Sequence, residues 1–536
     1  MTSKRLDDVD VIVVGWGVAG ACAALEALES GLSVGILDRF SGGGASRKSG
    51  GVVYAGGGTR HQRAAGFEDS PQAMFEYLRH EVSDVVSEAT LRQFCEDSVA
   101  NLQWLEGHGA PYAHQVPPGG KTSYPSDGYY LYYSGNELVP ECAGSLAPAP
   151  RGHRTVGSGH GGVVLYDALR KACVRKGAKI YTQTRMTGFV RDAAGAVTGV
   201  LAQQIPAGSP HASRHEQLAQ RSEAVNNTRP KLASKLRKMA EAIEQQQAEA
   251  IEIHARRGVV LATGGFIFNR DMVRQYAPKY SANFRIGSSG CQGDGHRLAE
   301  HAGAALDYMH HATAWRFINP PSALVGGLAV NAAGQRICNE ETYGARLGYA
   351  ICEENGGRAW LILDSRIRWA ALKQILFGRL WWFQWGPALM LLFFQAKAAR
   401  SLTALAARIG LPERALEAAV EINNQSAQGL IPDPVGKSPE SRALIRGPRF
   451  FAVDIGVGNP FFPLGALTLG GVRVDEGTGA VLRPDASVIP GLYAAGRAAV
   501  GVASNRYVSG LSLADCVFSG RRVGRALAHQ SQKEPT

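Results

Sequence analysis

A chain of 536 residues is too long for one hydrophobic core and predicts two or more domains. Its 65 glycines gather at turns between strand-like runs, which suits a large α/β enzyme better than a helical or disordered protein. The net charge of +11 comes with no nucleic-acid motif, so an anionic membrane surface is the expected charged partner, while eight scattered cysteines with no CxxC pair predict reduced, buried thiols in a cytoplasmic protein and no bound metal.

Residues 1–10 are charged and polar and predict no secretory signal. A strand through Val11-Ile12-Val13-Val14 enters the turn Gly15-Trp16-Gly17-Val18-Ala19-Gly20. An alanine-rich helix follows, then a second strand over 33–37 that ends at Asp38. Strand, glycine turn, helix, strand and acid together make a dinucleotide-binding unit. Gly15 permits the tight turn, Gly17 lets the backbone approach a pyrophosphate, and Gly20 lets the helix lie close to the sheet. The pyrophosphate is expected at the helix N-terminus, over Val18 and Ala19, where free N–H groups and the helix dipole favour an anion. Asp38, followed by Arg39, is placed to accept from ribose hydroxyls. The stretch 41–51 then offers small residues and hydroxyls. Ser46, Ser49, Gly50 and Gly51 can run against a flat ring system and a pyrophosphate. A nicotinamide domain has no need of this second loop; a flavin domain does.

Further along, the sequence predicts helix over 72–106, an aromatic loop over 124–133 and helix over 163–176. A strand over 179–184 and a hairpin over 186–203, turning at Ala193-Ala194-Gly195, follow. Gly157-Ser158-Gly159-His160-Gly161-Gly162 also satisfies the glycine fingerprint, but no apolar strand precedes it and it reads as a loop. A polar helical excursion over 210–250 places Leu232, Leu236, Met239 and Ile243 on one face, flanked by Lys231, Lys235, Arg237 and Lys238. Two readings stay open: a basic amphipathic helix on a membrane surface, or a hairpin packed on its own protein.

The strand 258–262 runs into Ala262-Thr263-Gly264-Gly265. Gly293-Asp294-Gly295 opens a new region, with strand-like segments at 326–331, 339–343 and 360–364. The uncharged run 380–394 holds Trp381, Trp382 and Trp385 between Arg379 and Lys397. It is short for a membrane span and is broken by Gly386-Pro387. It reads either as an interfacial patch or as a core segment that lids an apolar pocket. The C-terminal part returns to strands and turns over 470–475, 481–490 and 491–497, and a helix is predicted over 516–529. A helix N-terminus at Ser512 would aim its dipole at the pyrimidine end of a reduced flavin.

These motifs, with Thr468-Leu469-Gly470-Gly471 and Tyr493-Ala494-Ala495-Gly496, resemble the fumarate reductase and succinate dehydrogenase flavoprotein superfamily. The resemblance covers nearly the whole chain apart from 210–250 and the Trp-rich run. It implies an α/β fold: a Rossmann-like FAD-binding domain in two parts, 1–290 and 445–536, with an inserted α+β catalytic cap domain, 291–444. It implies FAD, and it adds Ala262, Thr263, Gly264, Asp294, Gly496, Arg497, Gly510, Ser512 and Leu513 to the cofactor-binding residues. No covalent-flavin histidine motif stands near Ser46, so the FAD is expected to be non-covalent. Dicarboxylate reductases of the superfamily carry a His-Pro-Thr motif where this chain has Trp315-Arg316-Phe317-Ile318-Asn319-Pro320-Pro321. Their Ala-Gly-Glu turn is Ala495-Gly496-Arg497 here. Instead, Arg506-Tyr507-Val508-Ser509-Gly510, continuing to Asp515, is similar to the terminal motif of the 3-ketosteroid Δ4-(5α)-dehydrogenases. The different ending of the Δ1-dehydrogenases is absent.

The implied reaction removes a proton from C4 of a 3-ketosteroid and passes a hydride from C5 to flavin N5. The resemblance assigns Tyr507 the hydrogen bond to the C3 oxygen, Ser509 the proton at C4, and Tyr343 the relay that drains Ser509. Strand-like spacing puts residues 507 and 509 on one side. A Δ1-dehydrogenase or another flavin ene-reductase is the alternative among enzymes. An electron-transfer subunit without its own substrate chemistry is the rival outside them. The steroid is the expected partner, the electron acceptor stays unassigned, and the expected place is the cytoplasm, with peripheral docking on the inner face of the cytoplasmic membrane as an open option.

Overall fold

Val11, Ile12 and Val13 are fully buried because β1 (Lys4–Val14) lies inside a mainly parallel sheet covered on both faces. The computed structural model describes residues 4–140, 142, 147–378, 380–459 and 461–529, so residues 1–3 of the polar N-terminal stretch and Arg379 lie outside the described residues. The strand β1 pairs in parallel with β2 (Val34–Leu37) on one side and with Glu249–Leu261 on the other. Lys179–Tyr181 and Val488–Ala494 extend the sheet in either direction. The crossover between β1 and β2 is α1 (Val18–Glu29), as the fingerprint requires. A Cβ on Gly15 would stand 2.5 Å from the Ala262 carbonyl oxygen, and one on Gly20 would stand 2.0 Å from that of Gly15. Both positions therefore admit hydrogen alone. The C-terminal helix Leu511–His529 packs along α1, and the buried Arg521 pairs with Glu26 there.

A second core gathers around the antiparallel strands Leu328–Asn331, Ala359–Asp364, Phe450–Asp454 and Lys397–Ala399. The chain enters it in two passes. Phe266, Met272 and Tyr280 already belong to this second core, whereas Ala299, Ala302 and Ala304 return to the parallel sheet. Buried Arg316 ties the core together by donating to the carbonyls of Ile455 (2.9 Å), Phe462 (2.7 Å) and Gly456 (3.0 Å).

Several sequence expectations are corrected. The helix over 72–106 is three helices, Pro71–Val82, Glu88–Glu96 and Ser98–Gly107. Ser83 turns the chain at φ 57°, and Ser87 caps the next helix through the Thr90 N–H. The strand over 179–184 stops at Tyr181, and Gln183 at φ 52° turns it into the hairpin Thr184–Arg191 and Val197–Gln204. Residues 339–343 are not a strand but a loop clamped by a buried ion cluster: Glu340 meets Arg336 at 2.6 Å and Lys437 at 2.8 Å. The flavin-loop stretch 41–51 contains a short helix, Gly44–Lys48, and the last helix begins at Leu511 rather than at 516.

The excursion is a pair of helices, Pro210–Val225 and Pro230–Gln247, packed on each other. Leu236 is buried against Leu218 and Ala240, with Leu232 and Ile243 packed alongside, so most of the predicted apolar face is covered by this chain itself. The Trp-rich run forms the helix Trp382–Met390 and a π-helical turn, Leu391–Gln395. Ala388, Leu391 and Leu392 point inward, whereas Trp382 is 69% exposed and Phe394 73%. Among the described residues, no helix is long and apolar enough to cross a membrane.

Candidate active site

Two adjacent cavities with shared walls lie between the parallel sheet and the second core. The larger, about 850 Å³, runs beneath the glycine turn. Gly15, Gly17, Val18, Ala19, Asp38, Arg39, Ser46, Ala262, Thr263, Gly264, Asp294 and Arg497 line it. Thr263 Oγ1 and Arg497 Nη1 are buried in its wall without a partner among the described residues. An elongated space with a glycine-turn backbone at one side and unspent donors at the other fits FAD.

Individual roles differ from those expected. The Asp38 carboxylate accepts from the backbone N–H groups of Trp16 (2.9 Å), Phe40 (2.8 Å) and Gly42 (3.3 Å), so it shapes the glycine turn and the following loop. Burial nevertheless pushes its pKa up against those three bonds. Ser46 Oγ accepts from Val18 N–H at 3.1 Å and so takes one of the donors assigned to the pyrophosphate. Arg39 turns to the helical excursion and binds Glu244 at 2.9 Å, with Asp294 at 3.9 Å. Gly20, Gly51 and Gly496 line neither cavity. A Cβ on Gly51 would stand 2.2 Å from the Gly161 backbone, and Gly496 donates its N–H to Ser519 Oγ at 2.9 Å, so both hold neighbouring backbone in place.

The smaller cavity, about 430 Å³, shares Ala45, Ser46, Lys48, His160, Arg497 and Cys516 with the first. Ser49, Gly50, Gly510, Ser512 and Leu513, all assigned to the cofactor, lie in its wall beside Tyr343, Tyr507 and Ser509. The remaining wall is mostly apolar, with Trp315, Phe317, Leu361, Phe383, Leu391 and Leu392 among its residues. The size and character suit a rigid apolar ligand with few polar groups.

The Tyr507 ring meets Trp315 edge-on at 4.7 Å and stacks with Tyr343 at 6.4 Å. Burial pushes the Tyr507 phenol up to about 12, against the pull of the Arg497 cation, so it is a neutral donor at neutral pH. Burial also raises the Tyr343 phenol well above its ordinary value, with Ser509 among the groups that act to lower it. The clamped loop delivers Tyr343, whose N–H donates to Asn136 Oδ1 at 2.6 Å. Residues 507 and 509 lie in the turn before the last helix, not in a strand, yet both face the same cavity with Val508 buried between them.

Sequence reading missed Tyr132, which reaches Ser509 Oγ at 3.2 Å, and the ion cluster that carries Tyr343. The aromatic loop held Tyr132 in view, but its two-residue strand is defined only by pairing with Gly152–Arg154.

Residues 10–513 match the family described as FAD binding domain, and the chain belongs to that family. It is therefore an FAD-dependent flavoprotein oxidoreductase. It is 43% identical over 499 residues to the 3-oxo-5-alpha-steroid 4-dehydrogenase of Comamonas testosteroni, which covers 91% of this chain and 92% of that one. The crystal structure of 3-ketosteroid-Δ4-(5α)-dehydrogenase from Rhodococcus jostii RHA1, in complex with 4-androstene-3,17-dione, matches with a TM-score of 0.81 at 30% identity, covering 99% of each chain. The open conformation of a flavocytochrome c3 fumarate reductase shares the fold, with a TM-score of 0.63 and 23% identity over 98% of this chain and 78% of that one.

Proposed function

We infer that this flavoprotein is a 3-ketosteroid 4-dehydrogenase that introduces a double bond between C4 and C5. One observation carries the reading: Tyr507 and Ser509 face a single apolar cavity that shares Ala45, Ser46, Lys48, His160, Arg497 and Cys516 with the FAD cavity. Bound FAD supplies the acceptor for the hydride that leaves C5. Tyr507, kept protonated, donates to the C3 oxygen and stabilises the negative charge that develops there. Ser509 takes the proton from C4 and passes its own to Tyr343, whose phenolic proton goes to cavity water. Tyr343 stays protonated between turnovers because burial holds its phenol high.

A saturated 5α-3-ketosteroid, added without oxygen, should bleach the flavin and yield the 4-ene product; a 1-ene product would favour the Δ1 alternative. Tyr507→Phe should slow turnover about a hundredfold, the usual cost of one oxyanion donor. Ser509→Ala should be at least as damaging while FAD stays bound. Near wild-type turnover in either variant removes the role given to that residue. The FAD is held non-covalently and should be released by acid precipitation; flavin that stays in the pellet contradicts this.

The exposed face of the Trp-rich segment is a lipid-docking surface in the same proposal. Trp382, Trp385, Phe393 and Phe394 are exposed beside Trp369, Leu376 and Phe377 of the neighbouring helix Ser365–Phe377. Arg366, Lys373, Lys397 and Arg400 flank them in sequence. The opposite face of the segment supplies Phe383, Ala388, Leu391 and Leu392 to the substrate cavity. The segment is thus lid and surface at once, and a steroid dissolved in lipid would meet the cavity from this side.

A further inference from the structure

We propose that Tyr132 is a positioning residue for the proton transfer: it donates a hydrogen bond to Ser509 and fixes the lone pair that meets C4. The proposal rests on the role given to Ser509 above. Tyr132 is fully buried and lines neither cavity, so it reaches the reaction only through Ser509. Its hydroxyl lies 3.2 Å from Ser509 Oγ. Two residues on, Ser134 Oγ donates to the Ser509 carbonyl at 3.0 Å. One short segment therefore holds both the side chain and the backbone of Ser509. The fit is tight, since a Cβ on the paired Gly152 would come within 3.0 Å of the Tyr132 ring.

A serine hydroxyl has one proton and two lone pairs. Ser509 needs one lone pair facing the substrate and its proton facing the relay. With Tyr343 receiving that proton, the second lone pair is left for Tyr132. Burial raises the Tyr132 phenol, so it keeps its proton throughout and acts only as a donor. As the transfer from Ser509 to Tyr343 runs ahead of the transfer from C4, negative charge grows on Oγ. A donor already in place stabilises that charge without reorganisation. A serine held by such a donor releases its own proton to the relay more readily.

The test is Tyr132→Phe in the FAD-loaded enzyme, with Ser509→Ala alone and in combination. The expected result is a kcat lower by about ten- to thirtyfold, the loss of one hydrogen bond to a charged group. KM for the steroid and the flavin absorbance should stay within about twofold of wild type. The isotope effect with C4-deuterated steroid should rise, and the kcat profile should move to higher pH. In the Ser509→Ala background, Tyr132→Phe should change nothing further. Wild-type kcat in Tyr132→Phe, with Ser509→Ala inactive, overturns this inference and leaves Ser509 in its role. An active Ser509→Ala removes both. A kcat loss matched by flavin loss, with an unchanged isotope effect, assigns Tyr132 to packing and also overturns it. If Tyr132→Phe does not fold, 3-fluorotyrosine at position 132 keeps the shape and strengthens the donor. Its kcat profile should then move to lower pH, and an unmoved profile counts against the proposal.

Discussion

The helical pair Pro210–Gln247 and the Trp-rich segment Trp382–Gln395 carry the same kind of sequence signal, an apolar stripe beside cations, and the fold treats them in opposite ways. The helical pair closes its stripe on itself around Leu218, Leu236 and Ala240. Its polar side then turns to the cofactor cavity: Glu244 binds Arg39 and His215, and Glu223 binds Ser289 and Lys48. The Trp-rich segment spends one face on the smaller, apolar cavity and leaves the other in solvent, with Trp385 40% exposed and Phe393 52%. An amphipathic pattern reports that one face needs cover. It does not say who supplies it. A second helix of alternating apolar residues nearby in sequence answers the need in the first case. In the second the excess is too large and too aromatic for one cavity wall to absorb.

The largest effect should come from the exposed aromatics. Trp382, Trp385 and Phe394 changed together to Ser should lower binding to anionic vesicles about a hundredfold or more, because full burial of each such side chain contributes roughly 1.5–3 kcal/mol and interfacial insertion recovers part of that. Wild-type binding should strengthen with anionic lipid and weaken with salt. Trp381 is left out of the variant because its Nε1 donates to the Pro125 carbonyl at 3.1 Å, inside the protein. Vesicle sedimentation that ignores the triple change would make both segments internal parts and erase the contrast.

Legibility in sequence follows the same line between local and distant causes. The βαβ fingerprint is readable because Gly20 acts on Gly15 and Val13 close by in the chain, although Gly15 itself is confined by the distant Ala262 carbonyl. The pair Tyr507 and Ser509 was readable as a motif, although the strand expected for them is a turn. The loop carrying Tyr343 has a strand-like sequence, but its shape is imposed from outside, by Arg336 and Lys437 on Glu340 and by Ser438 and Ser441 on Glu341. Tyr132 and the outward aim of Trp382 depend on partners far along the chain, and no local pattern encodes them. Asp38 was found as the acid after β2, but three backbone donors use it in a way the fingerprint does not state.

A middle-sized effect tests the cofactor side. Glu244→Gln removes the anion that holds Arg39 and His215, and FAD should bind about tenfold more weakly, read by flavin fluorescence on dilution. The pH dependence has a definite sign. Burial works to raise the Glu244 carboxyl, but the bonds from His215 and Arg39 prevail and hold it below its ordinary 4.5. Its contribution is therefore present above that value and is lost as pH falls through the lower folded value. Flavin release from the wild type should accelerate on acidification across that window, and Glu244→Gln should flatten this component. A variant that keeps wild-type affinity and wild-type acid release would leave the helical pair without a share in holding FAD.

The smallest effect is expected from the cations of the helical pair. Lys231, Lys235 and Lys238 are all exposed, and from sequence they are the natural contacts to an anionic surface. A lysine held at such a surface contributes about 1 kcal/mol, so three of them would account for a loss of roughly a hundredfold or more if this helix lay on the membrane. The covered apolar stripe argues that it does not, since charge attraction alone gives no fixed orientation against lipid. Changing the three lysines to Gln should therefore alter vesicle binding by no more than about twofold at moderate salt, through overall charge alone. The enzyme should keep its FAD, because Arg39 is clasped by Glu244 and Glu241 rather than by these lysines. A loss as large as that of the aromatic variant would place both segments on the same lipid surface, and the opposition between them would then be one of packing only.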